Sequence, residues 1–144
     1  MTPDVNILVA ASRDDHPHHQ PALRWLEQAL DDAAGGSTLT ILPMVSTGFL
    51  RVVTHPRIFV QPTPVGAAID FLQTLLNSPG VRQANLGCEL EKLLPLCRSR
   101  QLTGNDIPDA WIAAATQYHK LHLVTFDHGF TRLLKSHQFT LLSP

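Results

Sequence analysis

At 144 residues, 44% of them apolar, the chain is sized for one domain around one packed core. A formal net charge of -1 excludes a global basic field, so a nucleic acid would have to be held by a local patch or by bound metal. That balance argues against a sequence-reading DNA-binding module and says little against an enzyme that touches a few phosphates.

Cys88 and Cys97 stand nine residues apart with no C-x-x-C partner, so two free core thiols in a reducing compartment are expected in place of a disulfide. The opening Met1-Thr-Pro-Asp4 has neither a basic start nor an apolar h-region, and no signal peptide is expected. No apolar run approaches the ~20 residues that span a bilayer, so the expectation is a cytoplasmic protein with no membrane contact.

Periodicity alone makes the apolar run Val5 to Ala11 a strand beginning after Asp4. A polar breaker follows from Ser12 to Pro17. Leu23, Leu26, Ala29, Leu30 and Ala33 then repeat at three and four, which predicts a helix over about Pro21 to Ala34, ended by Gly35-Gly36. Ser37 to Leu42 alternates and is rich in β-branched residues, as a short strand should be. Val45 to Val53 reads as a helix closed by the turn-forming Thr54-His-Pro. Thr63-Pro64 offers an N-cap with proline just inside the next helix, which runs to the stop at Ser78-Pro-Gly. Further helices are predicted over about Gly87 to Arg98 and Asp106 to His119, the latter burying Ile107, Ala110, Trp111 and Ala114 or Ala115. Leu121 to Phe126 is a strand, Phe130 to Lys135 a helical turn or two, and Phe139 to Leu142 a last strand. Strands alternating with helices imply parallel pairing, and so a single α/β domain over residues 1 to 144, an α/β/α sandwich around a central parallel sheet.

The acids are telling by placement. Ligands of open parallel sheets collect beyond the carboxyl ends of the strands, and Asp127 sits just past the strand Leu121 to Phe126. Asp109 lies in the first turn of a helix, and Asp4 precedes the opening apolar run. Three carboxylates from distant parts of the chain can converge on one hard cation, with Mg²⁺ or Mn²⁺ the natural choice. Without a metal they would repel one another and raise their pKa values. Each also has a plainer role: Asp106 as N-cap with Asp109 on the helix dipole, Asp127 as a turn residue, Asp4 as a solvated terminus.

Four ordered pieces carry a family pattern: Asp4-Val-Asn-Ile-Leu, Gly48-Phe-Leu-Arg-Val-Val-Thr-His-Pro-Arg, Pro108-Asp-Ala-Trp-Ile-Ala-Ala and Leu123-Val-Thr-Phe-Asp127. In order and spacing they resemble PIN-domain proteins, most of all the VapC ribonuclease toxins of bacterial toxin–antitoxin pairs. The resemblance covers nearly the whole chain and is weakest from about 64 to 104. It implies a PIN fold whose acids, at the carboxyl edge of a parallel sheet, bind Mg²⁺ or Mn²⁺. It also implies metal-dependent endoribonuclease activity on RNA, neutralisation by a cognate VapB-like antitoxin, and a homodimer as the usual unit. The family's first acid falls on Asp4, its D-A-x-x-A-A acid on Asp109 and its T-x-D acid on Asp127. In the family the first aspartate closes a strand and the chain then turns into a helix, and that arrangement is preferred here to the periodicity-based strand.

The family usually carries a glutamate before G-F-L-R, where this chain has Met44-Val-Ser-Thr-Gly, with Ser46 at about the expected place and no acid from Ala33 to Ile69. Serine adds no negative charge, so a second metal is expected only when RNA supplies its own phosphate oxygens. Asp106, three residues from Asp109 on one helix face, is a candidate for the missing carboxylate. The rival to a nuclease is a PIN-like module that grips RNA or a partner without cutting. A phosphatase-like hydrolase with Asp4 as nucleophile is weaker still, because Asn6 stands where that chemistry wants a second acid.

Other residues have two readings each. Asn6 and Thr125 are supporting candidates, Asn6 by orienting Asp4. Arg51, His55 and Arg57, with Arg132 and Lys135 opposite, are phosphate contacts or plain surface. His16, His18 and His19 lack partners at a zinc spacing and are expected in an exposed loop with a structural or solvent role. Trp25 and Trp111 fall on apolar helix faces and are expected as core or dimer contacts rather than base-stacking platforms.

Overall fold

Two parallel ladders form the middle of the computed structural model, which describes residues 1–144. β1 (Thr2–Pro3) pairs with β4 (Leu123–Thr125), and β4 pairs with β5 (Phe139–Leu141). β2 (Leu39–Ile41) pairs with β3 (Val81–Gln83). The Thr40 N–H donates to the Met1 carbonyl at 3.0 Å and sets β2 beside β1. The strand order is therefore β3-β2-β1-β4-β5, and the chain winds outward from β1 in both directions. Such a reversal opens a crevice at the carboxyl ends of the two strands that flank it, here β1 and β4.

The crossovers are supplied by α1 (Val5–Ser12), α2 (His19–Ala34), α3 (Pro43–Val53), α4 (Val65–Leu76), α5 (Leu90–Arg100) and α6 (Asp106–Tyr118). The run Val5 to Ala11 is helix, and its residues Ile7 to Ala11 are all buried. A helix apolar all round is one buried on every side, which is why its periodicity imitates a strand. α3 and α1 pack closely because position 48 is glycine: a Cβ there would meet Val5 Cγ2 at 2.7 Å. Phe49, from α3, and Phe130, from the 3-10 turn His128–Arg132, are the largest fully buried side chains.

Several expectations need correction. Pro64 itself is the residue before α4 and no side chain caps that helix, since the Thr63 hydroxyl instead accepts from Arg13 Nη1 at 2.9 Å. β3 was not expected, because Val81-Arg-Gln has no alternating apolar pattern and only pairing with β2 makes it a strand. α5 begins three residues later than Gly87 and buries none of its side chains. α6 buries Ala110 and Ile112 to Thr116, whereas Trp111 is 40% exposed and lies outside the core. Asn105, not Asp106, precedes α6 as its cap. The cysteines are free, but Cys88 is exposed and Cys97 half-buried, so neither is a core thiol.

Candidate active site

Asp4 ends β1 by donating its N–H to the Val124 carbonyl at 2.9 Å, and its extended backbone then turns the chain into α1. Its Oδ1 accepts the Val5 N–H at 2.7 Å and its Oδ2 the Thr125 hydroxyl at 2.6 Å. That hydroxyl also accepts from Asn6 Nδ2 at 3.1 Å and from the Asp127 N–H at 2.9 Å. One donor and two acceptor positions are thus all used, and Thr125 is the knot between β1 and β4. Asn6 completes it by accepting the Phe126 N–H at 3.2 Å on Oδ1. Asp127 accepts the Gly129 N–H at 2.7 Å, which folds the chain into its 3-10 turn and leaves this carboxylate exposed.

Asp4 is 4% exposed. Burial pushes its pKa up, the hydrogen bonds from Thr125 and Val5 pull it down, and the charges of Asp109 and Asp127 push it up again, to about 6. Asp109, half-buried in the first turn of α6, is raised by burial and then by Asp127 and Asp106. The Arg13–Asp15 ion pair at 2.7 Å and the Glu89–His119 contact at 2.8 Å involve none of these acids. Oxygen donors with surplus negative charge and no protein cation paired to them suit a hard divalent ion in their chemistry. They do not form a ready-made cage, for no three acids, histidines or cysteines stand close enough to hold a metal.

Asp4, Asp109 and Asp127 face one open cleft of about 1180 Å³. A family model described as PIN domain matches residues 1–135 of this chain. The chain belongs to the PIN-domain family. This PIN domain is 35% identical over 130 residues to Ribonuclease VapC31 of Mycobacterium tuberculosis, covering 90% of this chain and 89% of that protein. It is 35% identical over 136 residues to Ribonuclease VapC25 of the same organism, with 90% and 89% covered. In fold it is similar to the crystal structure of VapBC2 from Rickettsia felis bound to a DNA fragment from their promoter, with a TM-score of 0.61 at 20% identity over 92% of this chain and 91% of that one.

Within the PIN domain, the remaining residues singled out by sequence divide cleanly. Asn6 and Arg51 line the cleft, and Arg51, on the last turn of α3, is its one lysine or arginine. Thr125 supports Asp4 from behind and is fully buried. Ser46 does not line the cleft: α3 presents Met44, Thr47, Gly48 and Arg51 there, and Ser46, about 200° around the helix from Met44, faces elsewhere with its hydroxyl buried and unpaired. Asp106 is also outside the lining, its Oδ2 accepting the Thr103 N–H at 3.4 Å. His55, Arg57, Arg132 and Lys135 lie outside it as well.

The three histidines do not form a cluster for metal and are not a loose loop. His18 stacks on Phe126 at 4.8 Å, and His19 Nδ1 meets the Ala10 carbonyl at 2.9 Å. Asn6 reaches Asp4 only through the Thr125 hydroxyl, and that hub role was hidden because Thr125 and Asp4 are 121 residues apart. The signal available in sequence was the threonine of Thr125-Phe-Asp127, a hydroxyl two residues before an acid at a strand end. Trp111 and His16 both line the cleft.

Proposed function

We propose that this PIN domain is a metal-dependent endoribonuclease of the VapC kind, the toxin of a toxin–antitoxin pair that a VapB-like antitoxin neutralises in the cytoplasm. The observation that carries the proposal is Asp4: a carboxylate 4% exposed, with no cationic partner, facing Asp109 and Asp127 across an open cleft. The relatives named ribonucleases, similar along nine-tenths of the chain, support the substrate class.

Asp4, Asp109 and Asp127 would hold Mg²⁺ or Mn²⁺, directly or through water. Such an ion, when bound, lowers the pKa of water for attack on a phosphodiester and offsets the charge that builds on the phosphate. The chain's own part is orientation. Val5 and Thr125 fix both oxygens of Asp4, Asn6 fixes Thr125, and Arg51 meets an RNA phosphate at the rim. A homodimer is the proposed unit, supported by Leu90 and Leu94 of α5, which stand 58% and 59% exposed with nothing packed over them.

The second reading, a PIN-like module that binds RNA or a partner without cutting, is favoured by the absence of any three-acid group close enough to grip an ion. The two part on one assay, cleavage of RNA with Mg²⁺ or Mn²⁺. Cleavage that disappears in Asp4→Asn and Asp109→Asn, with folding kept, is the expected result. Undiminished cleavage by both variants would sink the site assignment, and binding without cleavage by the parent would favour the module.

A further inference from the structure

His16 belongs to the turn between α1 and α2 and lines the same cleft as the acids, continuing the wall that α1 builds with Asn6 and Val9. Its Nδ1 accepts the His18 N–H at 3.0 Å. An acceptor Nδ1 in a neutral imidazole leaves the proton on Nε2, and protonating Nδ1 would break that turn hydrogen bond. Burial first, then the neighbouring His18, hold the ring's pKa below its ordinary value. Nothing inside the molecule pairs with Nε2.

The turn that carries the ring is tied on both sides. The His16 N–H donates to the Arg13 carbonyl at 3.2 Å, and the His16 carbonyl accepts the His19 N–H at 3.0 Å. Arg13, 8% exposed, grips Asp15 with two bonds of 3.0 and 2.7 Å. The His16 ring lies 5.6 Å from that of His18, which stacks on Phe126, the neighbour of Asp127. His16 is therefore two ring contacts from the acidic edge. A second His-Pro turn provides an internal contrast: His55 Nδ1 accepts the Arg57 N–H at 3.1 Å, but His55 does not line the cleft.

We propose that His16 is a phosphate-contacting residue: a neutral imidazole whose Nε2–H donates to a non-bridging oxygen of single-stranded RNA, next to the phosphate at the acids. The inference rests on the ribonuclease reading for its ligand. It makes His16 a hydrogen-bond donor to bound RNA in its neutral form, the form that keeps the turn bond.

Binding tests it without requiring cleavage. In an Asp4→Asn background, affinity is measured for a short random-sequence single-stranded RNA. His16→Asn keeps an oxygen in place to accept the His18 N–H but puts no donor at the reach of Nε2, while His16→Gln puts an amide N–H there. One lost hydrogen bond of ordinary strength predicts affinity about tenfold weaker for Asn, with the melting temperature unchanged. Gln should recover most of the affinity, and the control His55→Asn should bind as the parent does. Parent-like binding by His16→Asn, or Gln as weak as Asn, overturns the inference alone. Failure of the parent to bind RNA at all overturns it together with the functional reading. A long-range ¹H–¹⁵N spectrum of the free protein should show Nδ1 as the bare nitrogen, and a bare Nε2 would also overturn it.

Discussion

Asp4 and Glu89 are buried almost equally, at 4% and 3% exposure, and the chain surrounds them in opposite ways. Glu89 lies between β3 and α5, where Oε1 takes the His119 ring nitrogen at 2.8 Å and both oxygens accept the Gly87 N–H at 3.0 and 2.8 Å. Burial pushes its pKa up, but its own backbone N–H, the His119 ring and Gly87 more than offset this, and it lies below its ordinary value. Asp4 has hydrogen bonds but no cation, two acids for neighbours, and a pKa of about 6. A buried charge that serves the fold is paired inside the chain, whereas one left unpaired at a cleft is set to receive its counter-charge from outside. The Glu89 latch ties the weakly packed stretch before α5 to the end of α6, which carries Asp109 at its other end.

The contrast predicts opposite pH slopes. Between its ordinary value of 3.8 and about 6, Asp4 in the folded protein keeps a proton that the unfolded chain has released, so metal-free stability falls as pH rises through that window. Glu89, with a lowered folded pKa, contributes stability above its ordinary value of 4.5 that is lost as pH falls through the folded value.

The largest effect is expected for Asp4→Asn. In urea titrations of metal-free protein at pH 7 it should be more stable than the parent by up to about 3 kcal/mol, the difference vanishing near pH 4. A variant less stable than the parent at pH 7 would break the comparison, since Asp4 would then be a structural acid like Glu89. Glu89→Gln should do the reverse, lowering stability by about 1–2 kcal/mol in the same titration by leaving a buried donor short of its acceptor. Because the Glu89 carboxylate bonds only Gly87 and His119, neither of which lines the cleft, RNA cleavage by this variant at low temperature should match the parent; a loss as deep as that of Asp109→Asn would place Glu89 in the site. Smallest in stability, about 1 kcal/mol, is Thr125→Val, which strips the knot of its hydroxyl while keeping the strand. Thr125→Ser should restore both stability and cleavage, and a serine variant as impaired as valine would show that the methyl group matters rather than the hydrogen bonds.

Most of the site's main acids were legible because strand ends and helix starts leave local marks, such as the apolar strand before Asp127 and the Pro108-Asp109 helix start. That Ser46 and Asp106 stay outside the cleft lining was not legible, for a different reason. Sequence spacing gives the turn of a helix but not which side of it meets the cleft, and here Met44, Thr47 and Arg51 took that side. Trp111 falls in an apolar helix, yet the adjacent positions Ala110 and Ile112 took the core and left the indole at the cleft.

By itself the sequence determined the alternating α/β order, the family, and the identity of Asp4, Asp109 and Asp127 as the acids to watch, because each depends on residues near one another in the chain or on a motif. Only the tertiary structure decided that β3 is a strand, that Thr125 binds Asp4, that His16 looks into the cleft while His55 does not, and that Asp4 is buried with no basic partner whereas Glu89 has the His119 ring. Burial, pairing and facing are properties of what lies across the gap, and the partners across these gaps come from distant parts of the chain.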